Sequence, residues 1–194
     1  MALCVVLLLV PIPGSLSVVA TEFLATKFAA VPGVDLLSEG TLLVLAAGVM
    51  VSLALTRAWS PQRSRLRVWA AVLAVPVAYG ASEAIKLLFS QPRPCARWEL
   101  GVDCPPAGDW SFPSNHATLA FAAVVVLTLA VRRVGVSLAA AALAVVVCAG
   151  RVAQGAHYLH DVAAGALLGI ALPLAVVVSV TAISNTIERA ESRQ

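Results

Sequence analysis

Three short stretches of the chain hold most of the side chains that can do chemistry. Lys86 is followed, after six intervening residues, by Arg93-Pro94, Pro113-Ser114-Asn115-His116 comes next, and Gly150-Arg151 leads to His157, His160 and Asp161. Lys86, Arg93 and Arg151 are three cations without a matching cluster of acids to pair them. Such a set suits a dianionic phosphate, and guanidinium forks match its oxygens in geometry. Ser114 and Asn115 fall where an apolar run begins. A helix starting there offers free N–H groups and a positive dipole end to an anion. His157 and Asp161 are spaced i, i+4, which puts them on one helix face. The carboxylate can take a hydrogen bond from one ring nitrogen and leave the other free to attack phosphorus. His116, on another helix, can protonate a leaving oxygen. Together these groups describe phosphoryl transfer through a phosphohistidine.

Taken singly, each residue has a plainer reading. Cations near helix ends snorkel, a histidine at a membrane interface is often structural, and an aspartate at a helix start is often a cap. Specificity comes from the combination.

The elements that must carry these groups are helices in lipid. Of 194 residues, 60% are hydrophobic and 12% charged, and the mean hydropathy is +0.93. In a bilayer every backbone polar group must be paired within the chain, so helices or a closed barrel are the choices. The apolar runs are continuous rather than alternating, which selects helices. At roughly 20 residues per span, the chain is expected to be all-α: one domain over 1–194, an integral membrane bundle of about six transmembrane helices. The expected spans are near 2–20, 40–57, 68–89, 114–131, 134–150 and 157–183. The first is read as a helix kinked at Pro11, Pro13 and Gly14, with a cleaved signal peptide as the alternative. Residues 21–39 are expected to be a loop with a surface helix.

Six spans put both termini on one side. That side collects Arg57, Arg63, Arg65, Arg67, Arg132, Arg133, Arg189 and Arg193, eight in all, against five on the other: Lys27, Lys86, Arg93, Arg97 and Arg151. The positive-inside rule then makes both termini cytoplasmic and faces the motif-bearing core, 86–161, outward from the cell membrane. Cys95 and Cys104 lie in the expected outer loop, where a disulfide is permitted and would contribute about 2–3 kcal/mol by loop entropy. Two free thiols are the alternative. Cys4 and Cys148 sit in apolar runs. No Cys or His spacing suits a metal, and no basic-aromatic pattern suits nucleic acid.

The three motifs resemble those of the type-2 phosphatidic acid phosphatases, in the superfamily of acid phosphatases and vanadium haloperoxidases. That family's pattern is Lys-x6-Arg-Pro, Pro-Ser-Gly-His and Ser-Arg-x5-His-x3-Asp. The resemblance implies that Lys86, Arg93, Ser114 and Arg151 bind phosphate, that His116 is the acid, His157 the nucleophile and Asp161 its orienting partner, without metal or other cofactor; Asn115 is counted with the phosphate-binding set from its place at the helix start. Two positions depart. Asn115 replaces a glycine that gives the backbone close approach to phosphate, and asparagine tolerates left-handed backbone better than most residues. Gly150 replaces a serine, which removes a hydroxyl. His160 lies outside the pattern and reads as an interface residue. Glu83 and Asp109 lie near enough in sequence to position Lys86 or meet a head group.

The function these features imply is a membrane phosphatase for a lipid-linked phosphomonoester or pyrophosphate. Its small size and outward site resemble bacterial enzymes acting on polyprenyl phosphates, diphosphates or polyprenyl-linked sugar phosphates in envelope synthesis, such as decaprenyl-phosphoryl-phosphoribose. Phosphatidic acid and phosphatidylglycerophosphate are alternative substrates. A vanadate haloperoxidase and a non-catalytic transporter are the alternatives of other classes. The partners implied are the lipid-phosphate substrate and the membrane lipids.

Overall fold

The computed structural model of the chain describes residues 12–59 and 62–192. Among them are six α-helices and no strand: α1 (Leu16–Phe28), α2 (Val34–Trp59), α3 (Gln62–Phe89), α4 (Asn115–Val131), α5 (Val134–Ala153) and α6 (Leu159–Glu191), with a short 3-10 turn at Pro94–Ala96. Helices α2, α3, α5 and α6 are long and apolar enough to cross a membrane. At 17 residues, α4 reaches about 25 Å at 1.5 Å per residue, close to the hydrocarbon thickness of a bilayer.

The N-terminal third differs from the sequence expectation. The first ten residues of the expected 2–20 span lie outside the described residues. Within them, Pro13 and Gly14 do not kink a helix but precede one: Gly14 takes a left-handed φ of 83°, and Ser15 then caps α1. Residues 21–39, expected to be mostly loop, are largely the second half of α1 and the first turns of α2. The charges there misled. Glu22, Lys27, Asp35 and Glu39 are all exposed, while Ser17, Thr21 and Ala25 form the buried face of α1 at helical spacing. A helix face of small and hydroxyl residues gives little hydrophobic signal, although it packs closely.

Helix α4 is the core of the bundle and packs against α2, α3, α5 and α6. Its apolar residues run around its whole circumference, as burial on all sides requires. Eight of its residues are buried, among them Ala117, Thr118, Val126 and Leu127. The crossing with α6 is the tightest: a Cβ at Gly165 or Gly169 would collide with the main-chain carbonyl of Ser114 or Thr118. The glycine pair thus lets backbone lie on backbone and sets where the start of α6 meets the start of α4. Ser114 N–H donates to the Asp161 carbonyl across that contact at 3.0 Å.

The connection from α3 to α4 is the longest. Cys95 and Cys104 form a disulfide within it, with Cα atoms 5.6 Å apart. Cys95 N–H donates to Gly155 O at 2.9 Å, tying this loop to the turn between α5 and α6. At its start, the end of α3 presents three bare apolar side chains, Leu87, Leu88 and Phe89, exposed by 74%, 81% and 65%. Cys148 is a half-buried free thiol.

Candidate active site

The seven motif side chains come from four elements and two turns, and the bundle gathers them at one end. Lys86 is in the last turn of α3, Arg93 precedes the 3-10 turn, and Ser114 caps α4 with His116 just inside. Arg151 is in the last turn of α5. His157 lies in the turn that follows, and Asp161 is in the first turn of α6. Lys86, Arg93, Ser114, His157 and Asp161 are all buried.

His157 is the centre of this arrangement. Its Nδ1 lies 2.7 Å from the carbonyl oxygen of Ser111. A carbonyl only accepts, so Nδ1 carries the proton and Nε2 keeps its lone pair. That Nε2 is 3.3 Å from Arg93 Nη1. Burial pushes the imidazole down to about 4, against the opposing influence of Asp161. The ring is therefore neutral at physiological pH and protonates only as pH falls through about 4. A ¹⁵N-histidine titration is expected to show this midpoint, with the Nδ1–H tautomer through neutral pH. A midpoint near the unperturbed value of about 6.5 would contradict it.

Asp161 does not take the hydrogen bond expected of it. Its Oδ2 is 3.7 Å from His157 Nδ1, beyond hydrogen-bond range. Instead Oδ2 accepts from Tyr158 N–H at 2.8 Å, which caps α6. Its Oδ1 accepts from Gln91 Nε2 at 2.8 Å and lies 2.9 Å from His160 Nε2. The carboxylate remains the nearest negative charge to His157 and favours any positive charge that develops on the ring. The orienting hydrogen bond belongs to the Ser111 main chain, which no sequence motif could mark.

His160 is not an interface residue. It is buried and stacked between Phe112 and Tyr158, with centroids 5.8 and 5.3 Å away. Its Nε2 faces Asp161 and, at 3.0 Å, Gln91 Oε1, both acceptors. Its Nδ1 therefore accepts the Ser17 hydroxyl at 2.7 Å. A chain of hydrogen bonds thus runs from α1 through His160 to Asp161.

The cations are also not free of acids, contrary to the sequence expectation. Lys86 Nζ is 3.0 Å from Glu83 Oε1 and 3.8 Å from Asp109 Oδ1. Arg93 grips Asp109 twice, from Nη2 to Oδ1 at 2.7 Å and from Nε to the main-chain oxygen at 2.9 Å. Partial burial pushes the Asp109 carboxyl up, but the Arg93 hydrogen bond and charge, with Lys86, outweigh it and hold it below its ordinary value. The Glu83–Lys86 pairing is an i, i+3 contact. The Asp109 pairing comes from the loop.

Arg151 donates from Nη1 to Gln154 Oε1 at 2.8 Å, while its Nε is buried and unpaired among the described residues. A buried guanidinium N–H is costly without an acceptor. Gln154 is in turn held by Ser38 Oγ at 2.9 Å and Val34 O at 3.0 Å. Gly150 explains itself here: a Cβ would meet that of Ser38 at 2.7 Å. The motif serine is absent because Ser38 from α2 packs in its place and brings a hydroxyl that steadies Arg151 through Gln154.

Asn115 is helical rather than left-handed. Its amide is engaged away from the centre: Oδ1 accepts from Ser82 Oγ at 2.6 Å, and Nδ2 donates to Glu83 Oε1. With the Asn115 side chain taken, what this helix start can offer an anion is the main-chain N–H groups of Asn115 and His116. Neither they nor the His116 ring has a hydrogen-bond partner among the described residues. Arg151, Arg93 and Lys86 are the cations that bear on that ring. No group of three or more His, Cys, Asp or Glu side chains is set to hold a metal among the described residues.

The arrangement offers a neutral imidazole nitrogen aimed among three cations and a helix start. Residues 67–184 match the family profile described as the PAP2 superfamily, a stretch that includes every motif residue named above. The fold is similar to that of LpxE from Aquifex aeolicus, with a TM-score of 0.62 and 22% identity, covering 84% of this chain and 94% of that one. At that identity the likeness speaks for the fold. No curated relative matches the chain in sequence.

Proposed function

The chain belongs to the PAP2 superfamily, and on that premise we propose that it is an integral membrane phosphatase for a lipid-linked phosphate, with His157 as nucleophile. The observation that carries this reading is the unprotonated Nε2 of His157, which accepts from Arg93 Nη1 at 3.3 Å and stands among cations that an anion would draw together. In the proposed reaction Nε2 attacks phosphorus and the ester P–O bond breaks. His116 gives its proton to the leaving oxygen. Water then attacks phosphorus, losing a proton to His116, and the P–N bond breaks to return its electron pair to Nε2 and release inorganic phosphate. Lys86, Arg93, Arg151 and the first N–H groups of α4 stabilise the charge on the transferring group.

Lipid linkage is supported by what borders the site. Leu87 to Phe89 are exposed directly after Lys86. A groove of about 330 Å³ between α3 and α6, lined by Ile85, Phe112, Pro113, Leu167 and Leu168, begins at the residues before Ser114. A polyprenyl phosphate, diphosphate or polyprenyl-linked sugar phosphate of envelope synthesis is the substrate class put forward, ahead of phosphatidic acid and phosphatidylglycerophosphate.

Two experiments test the proposal. Phosphate release by the detergent-solubilised protein is expected to be blocked by vanadate, which mimics the transferring phosphoryl group, and to survive EDTA. Strong loss with the chelator would replace the histidine mechanism with a metal-dependent one. The outward-facing site in the cell membrane is proposed from the loop charges. A membrane-impermeant thiol reagent added to intact cells is expected to label Glu99→Cys and to spare Gln62→Cys. The opposite pattern would invert the topology.

A further inference from the structure

The acids around the phosphate seat carry an inference that rests on the phosphatase reading above. We propose that Glu83 and Asp109 make the site select a monophosphate over a diphosphate.

Both carboxylates stand at the mouth, with side chains 47% and 44% exposed, while the cations they touch are buried. Both are held there. Asp109 is fixed to Arg93 through its main chain as well as its carboxyl. A phosphate that displaces the carboxyl from Nη2 therefore leaves it close by. Glu83 is fixed from two sides, by Lys86 at 3.0 Å and by the Asn115 amide. The Ser82 hydroxyl, bonded to Asn115 Oδ1, sets which way that amide faces. Both carboxylates bear on Lys86 Nζ, at 3.0 and 3.8 Å, so they flank one edge of the seat at its mouth. A ligand longer than one phosphate must extend from the buried cations past them.

The charges decide between the two ligands. Lys86, Arg93 and Arg151 are offset by Glu83 and Asp109, which leaves the seat with one net positive charge before Asp161 is counted. A monophosphate brings two negative charges and can bind deep among the cations. A diphosphate brings a third, placed at the mouth against the two fixed carboxylates. Specificity built from repulsion is a general device. The departure at position 115 is part of it, because a glycine there could not hold Glu83.

The test uses the full chain in lipid nanodiscs and one prenyl chain supplied as monophosphate and as diphosphate. Wild type is expected to favour the monophosphate in kcat/KM. Glu83→Gln and Asp109→Asn are each expected to raise the diphosphate-to-monophosphate ratio about tenfold, a 1.4 kcal/mol effect, while Asp109→Glu keeps the wild-type ratio. A merely structural role would lower both activities together and leave the ratio unmoved. An unchanged ratio in both neutral variants, or a wild type that favours the diphosphate, would overturn the selector. Should the variants not fold, inhibition of the wild type decides: orthophosphate is expected to inhibit more strongly than pyrophosphate, and the reverse order refutes the proposal. If wild type releases phosphate from neither substrate, the phosphatase reading itself fails instead.

Discussion

His157→Ala is expected to abolish phosphate release, by about four orders of magnitude or more, in protein that still elutes as a folded species. Two facts set the size of this effect. The neutral Nε2 is the nucleophile proposed for the site, and the role proposed for His116 is that of the acid. The variant also leaves the buried Ser111 carbonyl without the Nδ1–H donor it has in the native protein. An unpaired buried acceptor costs about 1–3 kcal/mol, a loss the bundle can absorb because α4 and its packing do not depend on the ring. Activity should therefore be measured on the monodisperse fraction. Near-normal turnover there would remove His157 from the mechanism.

Arg93→Lys is expected to lower kcat by about 10²–10³, although charge is conserved. The guanidinium makes four contacts in three directions: Asp109 twice, the Ala156 carbonyl at 2.9 Å and His157 Nε2. A lysine ammonium is a single point on a flexible stem and cannot span them. Losing the Ala156 contact would also loosen the turn that carries His157. The effect is thus expected in kcat as well as KM. A change confined to KM would mean that Arg93 only attracts substrate and does not order the nucleophile.

Much of this arrangement was readable from sequence because motif residues sit beside helix boundaries. The prolines from 92 to 113 and the apolar run after Ser114 mark where α3 ends and α4 starts, so the cations and His116 could be assigned to one end of the bundle. The i, i+4 spacing of His157 and Asp161 was equally plain, but spacing alone cannot measure the 3.7 Å that separates them. What decides the His157 tautomer is a main-chain carbonyl, and main-chain groups have no letter in a sequence. Ser38 behind Gly150 and Ser17 beneath His160 were invisible for another reason. Each pairing joins residues more than a hundred positions apart, and each uses a serine that locally looks like any other small helix residue. The acids were partly legible: Glu83 is one turn from Lys86 and could be named as its partner, whereas Asp109 reaches Arg93 only because the loop between α3 and α4 folds back.

The bare Leu87, Leu88 and Phe89 that follow Lys86 have a kinetic consequence. A lipid approaching past them can offer its head group to the cations while its tail remains in the bilayer. The supply of substrate is then a two-dimensional diffusion problem, and the quantity that sets turnover is the mole fraction of substrate in the leaflet. Adding inert lipid would slow the enzyme without changing the amount of substrate in the tube.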